Sequence, residues 1–278
     1  MDIIDLKIKA TEIRKMLLNV IYESKTGHTG GDLSSTDIMT VLYYKIMKIN
    51  PKNPKWEERD RFILSKGHCS EAYYSVLADL GFFDKDLLKT YSKFDSPLIG
   101  HPNNKISGVE MNTGALGHGL SIGTGMALGL KMNNSNNKVF VLMGDGELAE
   151  GSIWEAIMSA SHYNLDNLVG IIDRNHLQIS GNTENVMSLE PLKSRIESFG
   201  WAVKEVNGNR IEELIKVFDE IPFEKSKPSM IIANTIKGKG VKEFENIAKW
   251  HHGVPDEALY NSAMSQLNNI LEELKNER

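Results

Sequence analysis

The 278-residue sequence contains a single cysteine, Cys69, so no disulfide can form within the chain. Neither sign of charge dominates. The 32 Lys and Arg residues stand against 37 Asp and Glu, and the formal net charge of −5 argues against a general nucleic-acid or membrane-surface binder. The one compact basic stretch, KGKG at Lys237 to Gly240, is too brief to act as a polybasic tract. No apolar run approaches the ~18 residues of a membrane-spanning helix. The N-terminus, MDIIDLKIKA, lacks both the basic leader and the uninterrupted apolar core of a secretory signal. Repeats and low-complexity tracts are absent as well. These absences lead us to expect a cytoplasmic protein with no nucleic-acid or membrane partner, long enough to bury a large core.

Histidine is unevenly placed. Glycine makes up 23 of 278 residues, so fewer than one of the eight histidines should follow a glycine by chance. Four do, at Gly27-His28, Gly67-His68, Gly100-His101 and Gly117-His118, and a fifth contact occurs at His252-Gly253. Glycine allows tight turns and close backbone approach to a ligand, and histidine exchanges protons near neutral pH. Such pairs, scattered over most of the chain, suit a pocket assembled from several loops.

Apolar periodicity indicates the architecture. Leu6, Ala10, Ile13, Leu17, Val20 and Ile21 fall at helical spacing, and Ser34, Ser35 or Thr36 could cap a second helix carrying Ile38, Val41, Leu42 and Ile46. Buried strands are expected at Phe62–Leu64, Lys138–Met143, Leu168–Ile172, Trp201–Val206 and Ser229–Ala233. Helical patterns follow at Ile153, Ile157 and Ala160, at Ile211 to Phe218, and in a tail from Asp256 to Arg278. Strands alternating with helices predict an α/β fold, a mostly parallel sheet with helices on both faces. With no convincing linker, residues 1–278 are expected to form a single domain.

The strongest local signal is KVFVLMGDGELAEGSIWEA followed by LVGIIDRNHLQISG. Two strands each end in an acidic turn, at Asp145 and Asp173, where open parallel sheets bind ligands. Gly144 and Gly146 would let the backbone turn sharply and aim Asp145 into the crevice. Asp145 and Asn175 offer hard oxygen atoms that, with a backbone carbonyl, suit an octahedral Mg²⁺ shared with phosphate oxygens.

GDG followed thirty residues later by Asn resembles the thiamine diphosphate fingerprint. KTGHTGGDLSS, RFILSKGHCSEAYYSVLADLG, LIGHPN, NTGALGHGLSIGTGMALG and WHHGVPD are similar, in that order and across nearly the whole chain, to transketolases. The resemblance implies that Asp145, Asn175 and the carbonyl of Leu177 hold the metal, Mg²⁺ or alternatively Ca²⁺ or Mn²⁺, on thiamine diphosphate. It implies that His28 and His101 meet the hydroxyls of a ketose donor. His68 and His252 would approach the diphosphate, with His252 also lining the substrate channel and His251 as its alternative. The Gly114, Ala115 and Leu116 backbone would lie against the cofactor rings, and Leu116 and Ile179 would pack the thiazolium and aminopyrimidine. Glu150 matches a carboxylate at the subunit interface, a salt-bridged helix-start glutamate being the plainer reading. His118 stands where many full-length members have glutamine, and Arg174 where the family often has a first asparagine. His162 and His176 carry no family role and read as satisfied structural histidines, and the methionines read as core filling.

In transketolases the glutamate that activates the aminopyrimidine lies on a second domain, so the resemblance implies the N-terminal subunit of a split enzyme. Its partner would be a C-terminal, pyrimidine-binding subunit that also supplies phosphate-binding arginines. The two-fold arrangement of the family's sites implies a heterotetramer acting on sugar phosphates. Three alternatives stand beside this reading. One is a related thiamine enzyme such as 1-deoxyxylulose-5-phosphate synthase. Another is a non-catalytic cofactor-binding subunit. The third is a nicotinamide-dependent oxidoreductase, suggested by Gly117-x-Gly119-x-x-x-Gly123.

Overall fold

The computed structural model describes residues 1–278. In chain order the strands are β1 (Arg61–Leu64), β2 (Val139–Gly144), β3 (Leu168–Arg174), the short β4 (Leu177–Gln178) and β5 (Gly181–Asn182), β6 (Ala202–Asn207) and β7 (Ser229–Asn234). Five of them form one sheet in the order β1-β2-β3-β7-β6, every neighbouring pair parallel; β4 and β5 make a separate antiparallel hairpin. The helices are α1 (Ile3–Ser24), α2 (Thr29–Val41), α3 (Ser70–Leu80), α4 (Gly119–Met132), α5 (Gly151–His162), α6 (Thr183–Val186), α7 (Leu192–Ser198), α8 (Ile211–Asp219) and α9 (Glu257–Asn276).

The apolar runs expected to be strands are the five sheet strands, and alternation along them explains why both faces are covered. Phe62, Phe140, Leu142, Val169, Ile171 and Ile231 point into a core of 42 buried residues shared with α1, α2, α3, α8 and α9. Ile63, Val141, Met143, Leu168, Ile172 and Met230 point the other way, into a core of 21 buried residues shared with α4, α5 and α7. A strand apolar on both faces reads as a continuous hydrophobic run, the pattern of a sandwiched parallel sheet. Truncating any of these side chains to alanine should cost about 2–5 kcal/mol.

The ends of the helices follow capping chemistry. Asp2 accepts from Asp5 N–H and forms a capping box at the start of α1, and Asp256 accepts from Leu259 N–H at 2.8 Å at the start of α9. Tyr22 of α1 stacks on Tyr260 of α9 at 4.1 Å between ring centroids.

Several expectations need correction. The second helix is not capped by Ser34, Ser35 or Thr36: it begins at Thr29, with His28 at the N-cap. The hydroxyls of Ser34 and Ser35 donate to the carbonyl of Gly31 and that of Thr36 to the carbonyl of Asp32, which satisfies them inside the helix. No strand precedes α4, which follows an irregular segment, so the strand–turn–helix setting that a dinucleotide loop requires is missing around Gly117. His162 and His176 are exposed rather than satisfied in the interior. The methionines divide: Met39, Met143 and Met230 are core residues, whereas Met132, Met158 and Met187 are exposed.

Candidate active site

Because the sheet is parallel, its strands deliver their following residues to one edge. Lys66 lies two residues beyond β1, Asp145 one beyond β2, Asn175 one beyond β3 and Lys237 three beyond β7. Register keeps these ends level, with Gly144 opposite Asp173 and Asp173 opposite Ala233. They surround a cavity of about 170 Å³ lined by His68, Leu116, Gly144, Asp145, Gly146, Asn175, Leu177 and Ile179, together with Lys66, Glu147, Gln178, Lys237 and His251. Larger clefts lie between α1, α8 and α9, about 500 Å³, and over the β6 edge, about 740 Å³. Their cations are largely committed to neighbouring carboxylates, as in Lys7–Glu212, Arg14–Asp37 and Lys204–Glu220. The strand-end cavity is the one where side chains of different chemistry converge.

Asp145 is fixed by four donors. Gly146 N–H reaches Oδ1 at 2.8 Å; His176 N–H, the Arg174 guanidinium and the Thr183 hydroxyl reach Oδ2 at 2.7, 3.1 and 3.3 Å. Burial, with Asp173 nearby, raises its carboxyl above the usual range, and Arg174 opposes this. Arg174 thus carries the positive end of a buried pair and is tied in turn to Glu184 and Glu190. Asn175 donates from Nδ2 to Asp173 at 3.1 Å and accepts at Oδ1 from Leu177 N–H at 3.1 Å. The expected metal-ligand set therefore sits together, with the Leu177 carbonyl accepting from Lys237 Nζ at 2.9 Å. Gly144 and Gly146 turn the chain without positive φ, and Gly144 leaves room for a side chain, so the sharp turn does not require glycine there.

The histidines converge as their glycine neighbours suggested. The His28 ring centroid lies 4.7 Å from that of His252, 5.4 Å from His68, 5.8 Å from His251 and 6.1 Å from His101. Loop contact explains two of the glycines. A Cβ on Gly67 would stand 2.7 Å from Gly114 N, and one on Gly114, whose φ is +136°, would stand 2.5 Å from the His101 ring. Either side chain would drive apart the loops that carry His68, Gly114 and His101. A bridge between His28 and Gly253, reinforced by the Thr29 hydroxyl donating to the Gly253 carbonyl at 2.6 Å, ties the late histidines to α2.

The doubled histidine, read from sequence as His252 with His251 as its alternative, places its two rings differently. His251 lines the cavity, with Nδ1 3.1 Å from Lys237 Nζ, whereas His252 is exposed and lies edge-on to His28. The cavity-lining position therefore falls to His251 and the outer one to His252. The residue after a histidine in a tight turn points elsewhere, and spacing alone could not choose between them. His118 is exposed at the start of α4, outside the cluster. Ile179 is exposed and Leu116 half-buried in the cavity lining, whereas Ala115 is exposed and does not line it. Glu150 is exposed at the N-cap of α5, makes no side-chain cap and no ion pair, so the plain salt-bridge reading fails.

Three cavity-lining side chains are not singled out by the sequence. Lys66 pairs with Asp173, both buried, and also donates to the Gly31 carbonyl at 3.3 Å. Lys237, read from sequence only as part of a short basic stretch, is buried against the cavity. Glu147 accepts from Gly117 N–H at 2.9 Å, from Gly144 N–H at 3.0 Å and from the Ser65 hydroxyl, and so joins three loops. The available signal was position: a polar residue within three places of the C-terminal end of a parallel strand.

Electrostatics keep His28, His68, His101 and His251 neutral near pH 7. Burial, then the neighbouring His252 and His101, lowers His28 to about 4; burial, then Lys237, lowers His251 to about 3. Burial also lowers His101, and burial with the nearby Lys66 charge lowers His68 far below its ordinary value. Burial, then Lys66, brings the Lys237 ammonium down to about 8. For Lys66 burial is outweighed by Asp173, which raises it.

Comparison with known proteins decides the family. The family described as transketolase, thiamine diphosphate binding domain, matches residues 6–269. The chain belongs to the transketolase family. It is 49% identical over 277 residues to an apulose-4-phosphate transketolase subunit of Phocaeicola vulgatus, covering 100% of this chain and 99% of that relative. A 6-deoxy-6-sulfo-D-fructose transketolase subunit of a Clostridium species is 40% identical, covering 95% of this chain and 96% of the relative. The solved transketolase of Campylobacter jejuni superposes with a TM-score of 0.91 at 34% identity, covering 96% of this chain and 43% of that one. This transketolase-family chain thus spans about two-fifths of the full-length enzyme it superposes on, and nearly the whole of the relatives named as subunits.

The residues present fit the thiamine diphosphate of the family. A diphosphate needs cations and hydrogen-bond donors, and the cavity presents Lys237, Lys66, His68 and His251. His28 Nδ1 and Gln178 Oε1 are buried with no partner in the chain, polar atoms left open for a ligand. Asp145, the Asn175 amide oxygen and the Leu177 carbonyl are the hard oxygens a divalent cation requires.

Proposed function

We propose that residues 1–278 form the diphosphate-binding domain and subunit of a two-chain transketolase. With a pyrimidine-binding partner chain it transfers a two-carbon ketol unit from a ketose phosphate to an aldose phosphate, using thiamine diphosphate and Mg²⁺. The observation that carries this reading is the convergence of Asp145, Asn175, Leu177, His68 and His251 on one cavity, with the His28 ring 5.4 Å from His68 and 5.8 Å from His251.

The thiazolium supplies an electron sink for cleavage of the carbon–carbon bond beside the ketose carbonyl. Everything else falls to side chains. Asp145, Asn175 and the Leu177 carbonyl would hold the Mg²⁺, or Ca²⁺ or Mn²⁺ in its place; the Lys237 ammonium would offset diphosphate charge, and the neutral His68 and His251 imidazoles would donate hydrogen bonds to it. Gly114, Ala115, Leu116 and Ile179 face the rings. His28 and His101, neutral through burial, can each donate and accept one hydrogen bond, which matches vicinal hydroxyls on a ketose. His252 stands at the channel side of His28. Glu150 has no partner in its own chain, which supports an interface position in a heterotetramer of two copies of each subunit.

The relatives matched over nearly their full length are themselves named as subunits, which supports a partner chain. No helix is long and apolar enough to cross a membrane, and we place the complex in the cytoplasm. The test is co-purification of the tagged chain from its own cells, followed by light scattering and a ketol-transfer assay on what is recovered. A two-plus-two complex active with sugar phosphates is expected; a fully active one-to-one heterodimer would overturn the architecture.

A further inference from the structure

Beneath the histidine turns lie two carboxyl groups that the reaction leaves without a role. Asp32 of α2 and Glu71 of α3 are both fully buried and are within hydrogen-bonding reach of one another. Ala72 N–H donates to Asp32 Oδ1 at 2.8 Å, and the Ser70 hydroxyl donates to Glu71 Oε2 at 3.2 Å. Asp32 Oδ2 and Glu71 Oε1 find no donor in the chain.

No cation is free to serve them. Lys66, the ammonium that acts on Asp32 most strongly, is committed to Asp173. The other titratable groups facing the pair are Cys69, Tyr74 and Tyr91, all raised by burial and therefore neutral near pH 7. Two buried carboxylates in contact repel and leave acceptors unsatisfied, whereas one proton between them removes both penalties. Burial raises both carboxyls, and for Asp32 the neighbouring Glu71 adds to the effect.

The pair touches the backbone on the His28 side of the sugar-facing cluster and reaches the His101 side through Tyr91. Glu71 Oε1 packs against Gly27 so closely that a Cβ there would stand 2.6 Å away, and Gly27 precedes His28. The Tyr91 hydroxyl, which interacts with Glu71 and lies 3.2 Å from Ser70 Oγ, abuts Gly100, and Gly100 precedes His101. Asp32 belongs to the helix whose N-cap is His28.

We propose that Asp32 and Glu71 share a single proton and act as a positioning pair, holding the His28 and His101 turns at the spacing a ketose donor requires. This rests on the assignment of those two histidines to the donor. Neither carboxyl touches substrate.

The test uses the complex reconstituted with its partner. Glu71→Ala should raise the KM for the ketose donor about tenfold or more, the effect of losing about 1.4 kcal/mol, while thiamine diphosphate affinity stays within about twofold. Glu71→Gln keeps a donor aimed at Asp32 and should restore most of the donor KM. On the apo chain at neutral pH, infrared difference spectra should show a protonated-carboxyl band that disappears in Asp32→Asn and equally in Glu71→Gln. A band that survives either substitution means an unshared proton and overturns the proposal. So does a Glu71→Gln variant as impaired as Glu71→Ala, or a Glu71→Ala variant that loses cofactor as strongly as donor. If His28→Ala and His101→Ala leave the donor KM unchanged, the donor assignment itself fails, and the positioning role with it. If they raise it while Glu71→Ala does not, only the positioning role fails.

Discussion

Lys237→Met separates a binding role from a structural one, because the two predict opposite signs. The Lys237 ammonium is buried and donates to the Leu177 carbonyl at 2.9 Å, with His251 Nδ1 at 3.1 Å. Burial and the nearby Lys66 lower it from 10.5 to about 8, so at pH 7 the cofactor-free fold carries an ammonium that would be more comfortable in water. At 1.36 kcal/mol per pH unit this costs about 3 kcal/mol. Methionine keeps the packing volume and removes the charge, at the loss of two hydrogen bonds worth about 0.5–1.5 kcal/mol each. The apo variant should therefore be as stable as the parent or up to about 2 kcal/mol more stable. In the loaded complex the balance reverses. A charge-assisted hydrogen bond to a phosphate oxygen is worth about 1.5–3 kcal/mol, so thiamine diphosphate affinity should fall roughly 10- to 100-fold. Denaturant unfolding of the apo chain and calorimetric titration of the complex give the two numbers. A variant that loses stability and keeps its cofactor affinity would refute the assignment of Lys237 to the diphosphate.

Asp145→Ala should abolish metal-dependent retention of thiamine diphosphate and Asn175→Ala should weaken it strongly, whereas His176→Ala, at an exposed position, should bind as the parent does; calorimetry of the assembled complex distinguishes them. His28→Ala and His101→Ala should each lower kcat/KM for the ketose about ten- to a hundredfold with cofactor affinity almost unchanged, measured by steady-state kinetics across donors. Because burial lowers His28 from 6.5 to about 4, its neutral form favours the fold above pH 6.5, and that contribution is lost as pH falls from 6.5 through 4. Chemical denaturation of the apo chain against pH should therefore show a steeper loss of stability over that interval in the parent than in His28→Gln.

The fold was legible because its information is local. Val139 to Gly144 and Leu168 to Arg174 are apolar at nearly every position, and only a sheet covered on both faces accommodates such runs. The arrival of Asp145 and Asn175 at one cavity was legible because the chain itself carries the spacing, strand, turn, helix, strand. The start of α2 was hidden because Gly30 and Gly31 are poor helix formers, while the hydroxyls of Ser34 to Thr36 imitate a cap although they bond back to preceding carbonyls. Lys66, Glu147 and Lys237 were missed for another reason. Each is an ordinary polar residue in its own segment, and its meaning comes from strand ends far apart in sequence arriving at one place. The choice between His251 and His252 turns on the direction of a side chain in a tight turn, which no periodicity encodes.

The central claim is that this chain holds the diphosphate while a second chain completes the site. Titrating a fixed amount of purified, cofactor-loaded chain with its partner, while following ketol transfer from a ketose phosphate to an aldose phosphate, tests it most directly. Activity should be negligible without the partner and should rise until it saturates at one partner per chain. Full turnover by the isolated chain, free of any partner, would contradict the account.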